Sequence, residues 1–294
     1  MGIKIVVPGV TFSDTSLPIL RADPILTPGS LLLLDFGRDY TAGAAVPAHG
    51  AALGNLAWEE AIVTLGGGSE SSVKPTFQNT FVGAPTQGLA ERTTKGGLHV
   101  ITSQVSMDAS GRYAAITLPT AIRDYMYTNT PSRSFYTSMW GRLTRLSTQS
   151  TDAIGNFAST SAPATSYANL LYKGAQWFPQ SSTGFVGQRS VPASEALGNF
   201  YAAGAVNNWS VGSKPVTAAG TENVFWFGAR GLYESFQRNK ANSGIWYRIY
   251  IEDLTASGRS FATVDAADKA LYDEAFGAGG RFNGDSFTAV GTLP

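Results

Sequence analysis

The sequence predicts a mostly β protein: a two-sheet antiparallel sandwich of jelly-roll type with an extended N-terminal arm and a short C-terminal helix. Three observations carry that expectation. Glycine supplies 33 of 294 residues and charged residues only 14% of the chain, against norms of about 7% and about 25%. With abundant Ser, Thr, Asn, Tyr and Phe, this is the vocabulary of strands and turns. Short apolar or alternating runs recur between clusters of Gly, Pro, Asn and Ser, without the helical patterns that a parallel sheet needs for its crossovers. Residues 244–288 then read strand, turn, helix and Gly-rich stop in succession. A chain of this length buries roughly 75% of its unfolded surface and needs no metal or cross-link. All-β units reach about 200–250 residues undivided, so length does not split it.

Residues 1–29 form the arm. Pro8, Pro18, Pro24 and Pro28 punctuate it, which excludes a continuous helix or a long central strand. Its apolar residues Ile3, Ile5, Val7, Phe12, Leu17, Ile19 and Leu20 need a surface, either on the arm's own domain or on a neighbouring subunit. Burying each contributes about 1.5–3 kcal/mol, and ordering the backbone costs about 1–2 kcal/mol per residue. The two nearly cancel, so a proline-restricted arm docked on an adjacent subunit is expected, and these seven side chains are the candidate assembly contacts. Deleting residues 1–28 is expected to leave the sandwich folded and to weaken assembly.

The sandwich is expected over 30–260. Its strand candidates are SLLLLDF from Ser30, KPTFQNTFV, GGLHVITSQVSM, GRYAAITL, SFYTSMWGRLTRL, YANLLYK, FWFGAR and WYRIYIEDL. Residues 39–55, 146–167 and 179–198, rich in small and turn-forming residues, read as loops. In the last strand, Ile245, Tyr247, Ile249 and Ile251 share one face. Trp246, Arg248, Tyr250 and Glu252 share the other, so one face packs and one is wet or meets a partner. Ile249, Ile251, Phe225, Phe227 and Met139 are expected on the inner faces. Short helices are expected at 120–127 and at 194–206, the latter capped by Ser194. Residues 261–294 supply the C-terminal helix and a Gly-rich tail. The helix is capped by Thr263 or Asp265, carries an Asp265–Lys269 pair and runs to about Phe276, where Gly277, Gly279 and Gly280 end it. No internal repeat is visible, which disfavours propellers and solenoids.

Charge and motif content narrow the function. Lys plus Arg and Asp plus Glu both number 21, and no basic run tracks a phosphate backbone, so nucleic acid is not an expected partner. A sparsely charged, neutral surface favours association. The absence of cysteine excludes disulfides, thiol catalysis and Cys-ligated metal. MGIKIVVPGV lacks the apolar core of a signal peptide, Val6 breaks the myristoylation pattern, and the Leu31–Leu34 run falls short of the ~20 residues of a membrane span. A soluble protein without membrane insertion is expected.

His49 and His99, the two histidines, lack ligand spacing and read as structural or surface groups, so no metal or other cofactor is expected. Glu59–Glu60 and Glu252–Asp253 are the adjacent carboxylates. Neighbours on a strand point to opposite faces, so neither pair suits glycosidase chemistry, and both read as solvated strand ends. Gly66–Gly68 and Gly277–Gly280 match no phosphate-loop pattern, and no nucleophile elbow is present. Asn208-Trp209-Ser210 fits a glycosylation acceptor by chance. Trp140, Trp177, Trp209 and Trp246 are candidates for stacking on a sugar face, with core or interface packing the commoner use of such rings. No residues are assigned as catalytic.

The segment YRIYIEDLTASGRSFATVDAADKALYDEAFGAGGRFNGDSFT resembles the end of concanavalin A-like (laminin G-like) jelly-roll domains in structural proteins of tailed bacteriophages. In these a YRxYIEDLTxSGR strand leads into a helix and a GGRFxGD segment. SLLLLDF is similar to their opening strand, and VPGVTFSD to the N-terminal lead of some phage proteins. The resemblance implies a non-enzymatic virion component, such as a head (capsid) decoration, tail or baseplate protein. Its partners would be itself, as a homo-oligomer such as a trimer, and other virion proteins, in a particle assembled in the host cytoplasm. The alternative on the same fold is a carbohydrate-binding or receptor-binding module that meets a host-surface glycan. The Asp/Asn/His loop of calcium-dependent lectins is not found in this sequence.

Overall fold

The computed structural model describes residues 23–109, 111–129, 132–148, 152–156, 169–173, 186–190, 197–207, 224–230 and 234–294. It is a mostly β chain with two antiparallel sheets packed as a sandwich. The strands are β1 (Ser30–Asp35), β2 (Thr76–Asn79), β3 (Gly88–Arg92), β4 (Leu98–Thr102), β5 (Tyr113–Thr117), β6 (Phe135–Arg145), β7 (Asp152–Asn156), β8 (Asn169–Lys173), β9 (Val186–Ser190), β10 (Gly198–Asn207), β11 (Val224–Gly228) and β12 (Ser243–Asp253). The larger sheet runs β3-β4-β12-β6-β10-β9 with β1 also on β12, and the smaller runs β2-β5-β11-β7-β8. The helices are α1 (Asp39–Ala42), α2 (Trp58–Thr64), α3 (Thr120–Asn129), α4 (Glu234–Gln237), α5 (Leu254–Ser257) and α6 (Phe261–Phe276).

β12 organises the larger sheet. It pairs with β6 along its whole length, while its other edge is divided between β4, opposite Gly244–Trp246, and β1, opposite Arg248–Glu252. Every residue of β12 is buried, which corrects the expectation of one wet face. A register shift between Trp246 and Arg248 also changes the side-chain phase, as an extra residue in one strand of a pair does. Ile245 and Tyr247 therefore pack with Tyr250 on the outer face, whereas Trp246 joins Ile249 and Ile251 between the sheets.

The inter-sheet core contains Phe77, Ile116, Phe225, Phe227, Leu98, Val100, Met139, Ile249 and Ile251. Phe227 and Trp246 meet across it with ring centroids 4.7 Å apart. All five residues expected on the inner faces lie there. α6 and the tail cover the outer face of the larger sheet, where Tyr136, Trp140, Tyr201, Tyr247, Val264 and Phe282 form a second apolar layer. The tail stays on the sandwich to its end: the Arg145 guanidinium donates to the Val290 and Leu293 carbonyls at 2.5 Å each.

Local expectations are met or corrected for identifiable reasons. α3 and α6 form where helices are expected. α6 is capped by Ser260, whose hydroxyl accepts from Thr263 N at 3.2 Å, not by Thr263 or Asp265. Its surface ion pair is Lys269–Asp273 at 2.5 Å, because Asp265 instead accepts from the Tyr201 hydroxyl at 2.7 Å. Of the helix expected at 194–206, residues 198–206 form strand β10, and its expected cap Ser194 lies outside the described residues. The strand's Ala202, Ala203 and Ala205 are buried between β6 and β9, so sheet pairing overrides the helical preference of alanine. The loops expected at 39–55, 146–167 and 179–198 contain α1, β7 and β9. Residues 23–29, assigned to the arm, are packed into the sandwich, with Ile25 fully buried and Asp23 nearly so.

Candidate functional site

The chemistry-bearing residues gather on the outer face of the larger sheet, beneath α6. The phase change in β12 turns Arg248 toward that face, where its guanidinium lies 4.6 Å from the Trp140 ring and is 1% exposed. A buried guanidinium needs compensating charge, and three separate chain segments supply it. Asp23, at the base of the arm, accepts two parallel bonds, Nη1 to Oδ2 at 2.7 Å and Nη2 to Oδ1 at 2.8 Å. Asp35, at the end of β1, has Oδ2 3.5 Å from Nη1. Asp268, on α6, has Oδ1 3.9 Å from Nε. Arg281 makes its own two-pronged pair with Asp35 at 2.8 and 2.7 Å, and Arg38 approaches Asp23 at 3.4 Å and Asp35 at 3.7 Å.

Asp268 lies in the middle of the helix stripe Val264, Asp268, Leu271 and Ala275 that packs on the sheet. Tyr136 OH at 3.2 Å and Ser138 Oγ donate to its Oδ2, and Trp140 Nε1 donates to Oδ1 at 3.1 Å. Tyr136 also shares a 2.7 Å hydroxyl contact with Tyr201. Burial raises the Asp268 carboxyl above its ordinary value, against the Arg248 charge and these donors. For Asp23 the balance goes the other way. Burial acts to raise it, but the Arg248 hydrogen bonds and charge, helped by Ile25 N and Arg38, leave it lowered. Over this cluster opens a cleft of about 740 Å³ lined by Asp23, Arg38, Trp140, Arg248, Glu274 and Arg281, among others.

Glu252 and Asp253, expected to be solvated, are fully buried. Glu252 Oε1 accepts from Arg259 Nε at 2.9 Å and its Oε2 from Tyr250 OH at 2.7 Å. Arg259 Nη2 also donates to Ile25 O at 3.0 Å. Asp253 Oδ1 caps α5 through Thr255 N and Ala256 N at 2.9 Å each, while Oδ2 accepts from Tyr125 OH at 2.8 Å and Arg133 at 2.7 Å. Each carboxylate thus serves several fixed donors, which makes it a structural acceptor. Glu59 and Glu60 lie in the first turn of α2, not at a strand end, where their charge complements the helix N-terminus.

His99 is buried and His49 accepts from Asn79 N at 3.0 Å through Nδ1. Burial lowers the His99 imidazole below its ordinary value against the opposing pull of Glu91. The neutral ring accordingly donates from Nδ1 to Glu91 at 2.8 Å and accepts from the Thr144 hydroxyl at Nε2, at 3.0 Å. Among the described residues no group of three His, Cys, Asp or Glu side chains is placed to hold a metal ion. Among them, too, no helix is long and apolar enough to cross a membrane. Gly66, Gly67 and Gly68 follow α2 with φ of 79°, 147° and 114°, a left-handed run that closes the helix.

Of the candidate stacking rings, Trp140 is 1% exposed and Trp246 0%. One is sandwiched between Arg248 and Tyr272 and the other lies between the sheets, so neither offers a face to a pyranose. Trp177, Trp209, Asn208 and Ser210 lie outside the described residues, as do Ile3, Ile5, Val7, Phe12, Leu17, Ile19 and Leu20. Sequence reasoning missed Asp23, Asp35, Arg248, Asp268 and Arg281 as a set. One signal was available: an Asp inside the apolar stripe of a predicted helix demands a buried partner. A scan against family models finds no match to this chain, and a search of curated proteins finds none either.

Proposed function

We propose that this chain is a non-enzymatic structural subunit of a bacteriophage virion, a head-decoration, tail or baseplate component. In this reading the sandwich has concanavalin A-like jelly-roll topology, and the chain acts through contacts with copies of itself, as in a trimer, and with other virion proteins. The observation that carries the reading is the anchoring of the arm. At Asp23 the chain is tied to the middle of the central strand by a buried, two-pronged bond to Arg248. A load applied to residues 1–22 by a neighbour would pass through that bond into the larger sheet and, through Asp35 and Asp268, into β1 and α6. Such a joint suits a subunit that is held by its arm. The phage-like segment contributes Tyr247, Arg248, Tyr250, Glu252, Asp253 and Arg259, and these side chains fasten the arm base, the tail, α3 and α5 to the sheet. The segment's pattern is thereby explained by a framework role.

The test is removal of residues 1–22, which spares Asp23 and Ile25. The shortened protein should keep the thermal unfolding midpoint of the full chain and lose self-association in sedimentation velocity, or incorporation into particles. Normal assembly of the shortened protein would refute the reading. Removal of residues 1–28 is the wrong cut: it takes away Asp23 and Ile25 and is expected to destabilise the sandwich itself.

A further inference from the structure

We propose that the outer edge of β3 is the acceptor for the arm of a second copy, with residues 2–7 adding to it as a strand; this rests on the assembly reading above. An unpaired strand edge is a template for another chain, and proteins cover or blunt it. Two edges of this sandwich are covered. β1, which pairs with β12 on one side, has its other side closed by Asn55: Oδ1 accepts from Leu33 N at 2.9 Å and Nδ2 donates to Leu31 O at 3.0 Å. Leu56 N adds a bond to Leu33 O at 2.9 Å. β2 is bridged by Ala52 opposite Thr76. β3 is different. It pairs with β4 from Gly88 to Arg92, and among the described residues nothing bonds to the backbone of its other side over that span; the tail reaches only its far end, where Thr288 N donates to Glu91 Oε1 at 2.7 Å and Thr94 N donates to Ser286 O at 3.0 Å.

That edge is also apolar where it begins. Leu89 is 39% exposed, Val82 68% and Val105 64%. Val82 and Val105 belong to the segments that flank the start of β3. Gly88 sits against the Phe81 ring, so close that an added Cβ would fall 2.2 Å from it. Ser103 N donates to Gln87 O at 2.9 Å, and Val105 N donates to Ser103 Oγ at 3.1 Å. Leu89 on the strand, with Val82 and Val105 in the segments beside its start, thus leaves exposed apolar surface at an open edge, a feature that marks interaction sites.

The occupant is argued from the chain itself. GIKIVV at residues 2–7 has Ile3, Ile5 and Val7 in strand alternation and ends at Pro8, which terminates a ladder. Main-chain bonds to β3 would supply the pairing and the alternate apolar side chains the specificity, as in other strand-addition modes. Fourteen residues lie between Pro8 and Asp23, a reach of about 50 Å when extended. Pro8 and Pro18 oppose helical compaction of that linker, so its length is sufficient to bring residues 2–7 to the β3 edge of a second copy.

The chain has no cysteine, so introduced pairs report cleanly. Leu89→Cys is combined in turn with Ile3→Cys, Ile5→Cys and Val7→Cys in the full-length protein, mixed from ¹⁴N- and ¹⁵N-labelled preparations before oxidation. The expected result is a reducible dimer in at least one register, with heavy–light cross-linked peptides. Cross-links that join only peptides of like label would place the arm on its own edge and overturn the proposal. No cross-link in any register, while removal of residues 1–22 still abolishes assembly, would sink the β3 site and leave the assembly reading standing. A full-length protein that stays monomeric and uncross-linked would overturn both. As a second measure, Leu89→Glu should weaken self-association roughly tenfold with unchanged unfolding, and unchanged association would count against the site.

Discussion

Asp23→Ala isolates the joint between arm, sheet and helix. The substitution removes the two short bonds at 2.7 and 2.8 Å and leaves Arg248, 1% exposed, with charged acceptors, among the described residues, at 3.5 Å on Asp35 and 3.9 Å on Asp268. Breaking a buried ion pair from one side costs about 3–5 kcal/mol, because the surviving charge is stranded. With Asp35 and Asp268 retained, the lower end is expected, about 3 kcal/mol. Most of that cost belongs to the orphaned guanidinium, so the double variant Asp23→Ala/Arg248→Met should lose less than the sum of the single losses, with a coupling of about 2 kcal/mol. Urea unfolding followed by tryptophan fluorescence measures all four proteins. The sign of the pH dependence is a second check. The Asp23 carboxyl is lowered in the folded state, so its contribution is present above the unfolded value near 3.8 and is lost as pH falls through the folded one. The gap between wild type and Asp23→Ala should therefore close in acid. A loss below about 1 kcal/mol, or strict additivity in the cycle, would show that Arg248 is satisfied by other groups and that the joint carries no load.

Two further outcomes are expected. His99 is lowered in the folded state by burial, so the unfolded chain takes up its proton first and stability falls as pH drops below the ordinary value of 6.5. His99→Gln should flatten the Tm–pH curve between about pH 7 and 5 relative to wild type, and parallel curves would contradict a neutral buried ring. Ser260→Ala removes the cap of α6 and should cost about 1 kcal/mol in the same unfolding assay, with Ser260→Asp restoring most of it.

The strands and the long helix were legible wherever local pattern and environment agree. SLLLLDF, GRYAAITL and SFYTSMWGRLTRL announce β1, β5 and β6 through apolar runs bounded by turn residues, and the glycines after Phe276 end α6 where only small or left-handed residues fit. Gly280 shows why: an added Cβ would lie 2.2 Å from Glu274 O. β10 was illegible, because Ala202, Ala203, Gly204 and Ala205 carry little strand propensity and take their conformation from the ladders on either side. The phase of β12 was equally hidden. A period-2 reading assumes an unbroken strand, and the shift after Trp246 comes from pairing with a partner whose register the chain cannot state locally.

By itself, then, the sequence determined the class: many short strands, glycine-rich turns, a helix at the C-terminal end, and a low-charge composition suited to association. The tertiary structure alone decided which polar residues meet. Asp23, Asp35, Arg248, Asp268 and Arg281 come from the arm base, β1, β12, α6 and the tail, and no spacing rule links them. They converge because α6 buries the outer face of the larger sheet. Once Arg248 is turned into that buried layer by the bulge, the cost of an unpaired charge there is met by the three aspartates.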